Sequence, residues 1–137
     1  AHEDICVFYK KPPVYNPQIT SGHQRKVSTA KHGRNSKQSL DYRGYERVTY
    51  DSTDRYPRSV LVFPKDTQKE SYNPTQKPVA LCEWLIRTYS NPGDLVFDPT
   101  AGSMTTAVAA ANTGREYICF EKDEGIFEIG KKRLERY

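Results

Sequence analysis

The sequence predicts an α/β fold with a parallel strand layer, and three observations carry that expectation. After residue 58, short apolar runs alternate with segments of helical pattern. Two of those runs, DLVFD at 94–98 and EYICFE at 116–121, flank a small-residue stretch of helical length, which is the spacing of a strand–helix–strand crossover. Proline and glycine mark the boundaries, with Asn91-Pro92-Gly93 before the first run and Gly114 before the second. A chain of 137 residues, 36% hydrophobic and 28% charged, supports one core with attachments rather than two independent cores.

The elements follow in order. Ile5 to Tyr9 (ICVFY) has strand character and is stopped by Lys10-Lys11-Pro12-Pro13, since proline cannot continue a ladder. No hairpin partner follows it, so its partner is expected to be distant in sequence or missing. Pro12 to Arg58 shows little periodicity and holds a basic tract, QRKVSTAKHGRNSK, from Gln24 to Lys37. Ser59 to Phe63 (SVLVF) is a short extended run ended by Pro64. Lys77-Pro78 then places a proline at the first position of a helix in which Leu81, Trp84, Leu85 and Thr88 recur at three- and four-residue spacing. The strand at Asp94–Asp98 leads to a helix at Ser103–Thr113, a strand at Glu116–Glu121 and a last helix from about Glu124 to Glu135.

The net charge of +4 is unevenly distributed. Residues 10–58 carry eleven Lys or Arg against four Asp or Glu, whereas residues 59–137 carry ten against eleven. A basic segment of this kind suits a polyanion, because each phosphate neutralised releases condensed counterions. Five tyrosines, Tyr15, Tyr42, Tyr45, Tyr50 and Tyr56, are interleaved with the charges and suit stacking on bases. Composition leaves a solvated basic loop as the plain alternative.

Other classes are excluded or disfavoured. No apolar run reaches the roughly 18 to 20 residues of a membrane span, and the first residues lack the pattern of a signal peptide. A soluble, cytoplasmic protein with no membrane partner is therefore expected. Cys6, Cys82 and Cys119 are odd in number and widely spaced, with no CxxC pair, so neither disulfides nor a metal site is expected and all three read as buried, inert thiols.

The chemistry is expected at two strand ends. Asp98 closes one strand and is followed by a turn and a helix start, where backbone N–H groups point above the sheet. Glu121 closes the next strand, 23 residues later, where an acid accepts hydrogen bonds from the two hydroxyls of a ribose. There is no GxGxxG for a pyrophosphate and no GxxxxGK[ST] for a triphosphate. A nucleoside with few phosphates is favoured; two merely polar strand ends are the alternative.

Asn73-Pro74-Thr75-Gln76-Lys77-Pro78, then Asp98-Pro99-Thr100-Ala101-Gly102-Ser103-Met104-Thr105-Thr106, then Glu121 together resemble the HPTQKP, DPFxGSGTT and strand-end Glu of the β-class DNA amino-methyltransferases. The chain is similar to the C-terminal half of such an enzyme. The resemblance implies a partial Rossmann-like methyltransferase sheet with an inserted, loop-rich target-recognition region. Residues 1–11 would be a core strand, 12–58 the recognition region and 59–137 the S-adenosylmethionine-binding part. It implies that Thr75, Gln76 and Lys77 hold the methionine end of the cofactor, with Asp98, Thr100, Ala101, Gly102 and Ser103 lining that end. Glu121 would bind the ribose, and Lys122 and Asp123 would flank the adenine. Arg25, Lys26, Lys31, Arg34, Lys37 and Arg43 are nominated for contact with double-stranded DNA. The implied reaction is site-specific methylation of an exocyclic amino group, adenine N6 in preference to cytosine N4, of the kind found in restriction-modification.

The chain departs from the pattern at Asn73 in place of His, Thr100 in place of Phe and Met104 in place of the second Gly. Met104 is expected either to narrow the cofactor pocket or to change how its helix starts. A larger departure is that the family's catalytic tetrapeptide, [DNS]PP[YFW], does not occur; Lys11-Pro12-Pro13-Val14 lacks both its polar and its aromatic residue. No catalytic residue is therefore assigned. A completing N-terminal half is expected, as a separate subunit or as the rest of the same chain. The alternative is a non-catalytic nucleic-acid-binding remnant that keeps the α/β part as scaffold.

Overall fold

A parallel strand pair needs a crossover long enough to return the chain to the same edge, and the alanine-rich segment after Asp98 supplies it. The computed structural model describes residues 3–28, 50–65 and 75–136. It divides into two compact units, Ala1–Gln18 with Ser59–Tyr137, and Ile19–Arg58.

The first unit is built on β3 (Leu95–Asp98) and β4 (Glu116–Cys119), which pair in parallel with Leu95 opposite Glu116 and Asp98 opposite Cys119. Helix α2 (Thr105–Asn112) joins them. Ala107, Val108, Ala109 and Ala110 have no exposed surface, because small side chains let α2 lie close to both the strands and α1 (Val79–Tyr89). One core cluster joins Ile86 of α1 to Ala109 and Ala110, with Val79, Cys82 and Val96 packed against it. A second joins Ala101, Met104 and Ala107, covered by Cys119 and by Leu134 of α3 (Glu124–Leu134). The far end of α1 is held by Asn16, whose backbone N–H donates to the Thr88 carbonyl at 2.7 Å, and by buried Arg115, whose Nη2 donates to the Ser90 carbonyl at 2.7 Å.

The second unit is an antiparallel ribbon of β1 (Lys26–Ser28) and β2 (Tyr50–Ser52), with Val27 opposite Asp51. The pairing continues at the Thr20–Arg55 bridge. The Arg55 guanidinium ties the ribbon together by donating to the Ser52 carbonyl at 3.1 Å and to the carbonyl of Gln24.

Several expectations change. Ile5–Tyr9 and Ser59–Phe63 form no strand ladder. A strand exists only by exchanging hydrogen bonds with a neighbour, and among the described residues β3 and β4 pair only with each other. Phe8 is accordingly 91% exposed, and of the three cysteines expected to be buried Cys6 is exposed and Cys82 and Cys119 are half-buried. Pro78 caps α1 instead of opening it. Helix α2 starts at Thr105 rather than Ser103, because Met104 takes the left-handed conformation at φ 61° and blocks an earlier start. Leu95, Phe97, Ile118 and Phe120 also remain exposed, although parallel sheets usually carry cover on both faces. Among the described residues, no helix is long and apolar enough to cross a membrane.

Candidate functional site

The loops following β3 and β4 meet above the carboxyl ends of the strands. Asp98 braces its own loop, with Oδ1 accepting from the Thr100 N–H at 3.0 Å and Oδ2 from the Thr106 hydroxyl at 2.6 Å. Glu121 joins the two loops. Its Oε2 accepts from the Gly102 N–H at 2.8 Å and its Oε1 from the Asp123 N–H at 2.9 Å. The Ala101 N–H adds a bond to the Phe120 carbonyl at 2.8 Å. Each Glu121 oxygen keeps a lone pair for a further donor.

Below this brace lies a concavity of about 410 Å³, within the range of small-molecule and cofactor sites. It is lined by Thr75, Gln76 and Lys77 ahead of α1, by Asp98 and Thr100 to Ser103, and by Glu121. Nine of the expected cofactor residues are thus gathered around one cavity. Lys122 and Asp123 stand in the adjoining loop and are not among the lining residues. The Asp123 side chain instead caps α3, with Oδ1 accepting from the Ile126 N–H at 2.8 Å. Cys82, Thr105, Thr106 and Ile126 also line the cavity and were not singled out by the sequence reading. Cys82 and Ile126 carried no signal for it, because each reads equally as a core position of an amphipathic helix.

The cavity wall is supported from behind. The Ser103 hydroxyl donates to Gln76 Oε1 at 3.0 Å, linking the β3–α2 loop to the start of α1. Arg133 of α3 is buried and donates from Nη1 to the Ser103 carbonyl and to the Thr105 hydroxyl, both at 3.0 Å. Met104 does not face the cavity. Its side chain is buried against Gly130 of α3, where a Cβ would stand 2.4 Å from Met104 Cγ. Of the two effects expected of Met104, the structure shows the altered helix start and leaves the pocket clear.

Two electrostatic features mark the site. Lys77 pairs with Glu3, with Nζ 2.9 Å from Oε1 and 2.8 Å from Oε2. The bond and charge of Lys77 hold the Glu3 carboxyl below its ordinary range, with Lys65 adding a smaller pull. Burial, with some help from the Asp98 charge, pushes the Cys119 thiol up to about 11. Among the described residues, no group of three or more His, Cys, Asp or Glu is placed to hold a metal.

The nominated DNA contacts are only partly described. Arg25 sits just before β1 and forms a side-on pair with Asp51, Nε to Oδ1 at 2.7 Å and Nη2 to Oδ2 at 2.6 Å. Lys26 opens β1 and is exposed. Lys31, Arg34, Lys37 and Arg43 lie outside the described residues.

A parallel β–α–β unit with one acid closing its first strand, a second acid in the loop after the next, and a cavity lined by both defines a Rossmann-like class of fold. Within that class, a family model described as DNA methylase, covering N6 and N4 methyltransferases, matches residues 1–132, and the chain belongs to this family. It is 37% identical over 99 residues to the DNA adenine methyltransferase YhdJ of Escherichia coli K12, a match covering 70% of this chain and 33% of that protein. It is 30% identical over 106 residues to the Type II methyltransferase M2.LlaDCHI of Lactococcus lactis subsp. cremoris, covering 75% and 39%. The crystal structure of the M1.HpyAVI–SAM complex is 41% identical, with a TM-score of 0.48, and the match covers 55% of this chain and 36% of that one. The chain spans about a third of the length of the curated relatives it matches.

Proposed function

We propose that this chain supplies the S-adenosylmethionine pocket and the DNA-contacting segment of a site-specific DNA amino-methyltransferase. The observation that carries the reading is the Glu121 brace, which holds both strand-end loops around the cavity and leaves a lone pair on each oxygen. Two such lone pairs suit two adjacent ribose hydroxyls. The donor set fits the rest of the cofactor as well: Lys77 suits the carboxylate of the methionine end, and Asp98 suits its ammonium group. In this reading Thr75, Gln76, Thr100, Ala101, Gly102 and Ser103 surround that end, and Lys122 and Asp123 flank the adenine. When bound, S-adenosylmethionine offers a sulfonium methyl group for transfer to nitrogen. The part of this chain is to bind and orient it and to keep the loops closed around it.

Arg25, Lys26, Lys31, Arg34, Lys37 and Arg43 contact double-stranded DNA in this reading, and adenine N6 is the acceptor favoured over cytosine N4. The likeness to YhdJ, named as an adenine methyltransferase, supports that choice. Transfer itself requires a segment with the [DNS]PP[YFW] element, absent from this sequence, which grips the amino group and stacks on the extruded base.

The test is calorimetric titration of the folded chain with S-adenosylmethionine and its demethylated product, with Glu121→Ala alongside. Saturable binding lost in the variant supports the reading. Absence of binding by a chain shown to be folded refutes the pocket assignment. Methyl transfer to DNA on mixing with a segment carrying the tetrapeptide tests the completed enzyme, and replacing the basic residues by Ala should weaken DNA binding and flatten its salt dependence.

A further inference from the structure

Lys77 has two claims on its charge. It lines the cavity, where the proposed function gives it the carboxylate of the ligand. It is also held by Glu3, 74 positions away in sequence, through contacts of 2.8 and 2.9 Å to the two carboxylate oxygens. An ammonium group reaches an incoming carboxylate from this position only by releasing Glu3 or by sharing itself between two negative charges.

We propose that Glu3 competes with the carboxylate of the bound nucleoside for Lys77, and so sets how strongly the pocket favours a ligand bearing an amino-acid end over the bare nucleoside. The proposal rests on the reading of the cavity as the S-adenosylmethionine site. Three observations support it. The Glu3 and Lys77 side chains are 72% and 51% exposed, so the pair is screened by water and exchanges readily. Lys65 also pulls on Glu3, which leaves the Glu3 carboxylate partly compensated once Lys77 turns to the ligand. The rest of the cavity does not depend on the pair, because Glu121, Asp98 and Ser103 are held by their own loop contacts.

Competition has a sign that a simple structural brace does not share. Removing the Glu3 charge removes both the competitor and a repulsion, so a carboxylate-bearing ligand binds more tightly. A ligand lacking that carboxylate is indifferent.

The experiment is calorimetric titration of the chain and of Glu3→Gln and Glu3→Lys with S-adenosylmethionine, with its demethylated thioether product, which should follow it, and with methylthioadenosine, which shares the nucleoside and thioether of that product but lacks its amino-acid end. Glu3→Gln should tighten S-adenosylmethionine binding roughly two- to fivefold, the scale of an exposed ion pair, and Glu3→Lys should tighten it further. Methylthioadenosine affinity should stay constant, and the gain should shrink as salt rises. Equal changes for S-adenosylmethionine and methylthioadenosine, or weaker S-adenosylmethionine binding in Glu3→Gln, overturn the competition and leave the pocket reading standing. Failure of the unaltered folded chain to bind any of the three ligands overturns both.

Discussion

Gly130→Ala is the substitution whose effect follows most directly from the packing. A methyl group at this position would lie 2.4 Å from Met104 Cγ, 3.2 Å from Met104 Cβ and 3.3 Å from the Ser103 carbonyl carbon, all closer than ordinary carbon contact. Alanine in a helix interior gains about 0.5–1 kcal/mol over glycine, whereas overpacking of a filled core costs typically 1–3 kcal/mol. The balance predicts a net loss of about 1–2 kcal/mol for the single variant. The cause is specific, since the side chain in the way belongs to a residue held at φ 61° with only 3% of its surface exposed. Met104→Ala removes the 2.4 Å contact, the one too short to be absorbed, and leaves the two at 3.2 and 3.3 Å, at the expense of a cavity, about 2–5 kcal/mol. In that background Gly130→Ala should become neutral or stabilising, a coupling of about 1–3 kcal/mol. Urea denaturation followed by circular dichroism measures all four corners of the cycle. Met104→Gly, which also relaxes the left-handed backbone, replaces Met104→Ala should the latter fail to fold. An equal cost of Gly130→Ala in both backgrounds would refute the account of Met104 as a plug seated on α3.

Other consequences are measurable in the same way. Glu121→Gln leaves one of two backbone donors facing an amide NH2, so it should cost about 1–3 kcal/mol and lower the thermal midpoint without any ligand present. Arg133→Met strands the Ser103 carbonyl and Thr105 hydroxyl behind the cavity wall and should cost a similar amount, with weakened S-adenosylmethionine binding in calorimetry. The Cys119 thiol, raised from 9.0 to about 11, holds its proton more tightly folded than unfolded, so its contribution is fully present below pH 9 and is lost as the pH rises towards 11. Denaturation midpoints should therefore fall across that window, and the fall should vanish in Cys119→Ala. Alkylation at pH 8 followed by mass spectrometry should label exposed Cys6 before Cys119.

The parts legible in the sequence were those that short-range rules determine. DLVFD and EYICFE carried their strand character locally, and the small residues between them fixed both a helix and its burial. Asp98 was placed correctly at the end of β3, whereas Glu121, expected to close a strand over Glu116–Glu121, stands in the loop two residues beyond β4, because the ladder with β3 ends at the Asp98–Cys119 pair. The remainder depends on partners that no local pattern reveals. Ile5–Tyr9 is as strand-like as β4 by composition, yet pairing is decided by a neighbour and none is present among the described residues. The Met104 departure left two outcomes open, a narrowed pocket or an altered helix start, and the sequence could not choose between them because the Gly130 that accommodates the side chain lies on another helix. Glu3 gave no sign of its role, since nothing at position 3 announces a contact with position 77.

The most direct test of the central claim is a titration of the isotopically labelled chain with S-adenosylmethionine, read by the backbone amide resonances. Occupancy of the pocket should give saturable shifts concentrated at Gly102 and Ser103 and at Glu121 to Asp123, with the segment after α1 at Ser90 to Asp94 unmoved. Saturable shifts elsewhere with none at Gly102 and Glu121, or no shifts in a folded chain at millimolar ligand, would contradict it.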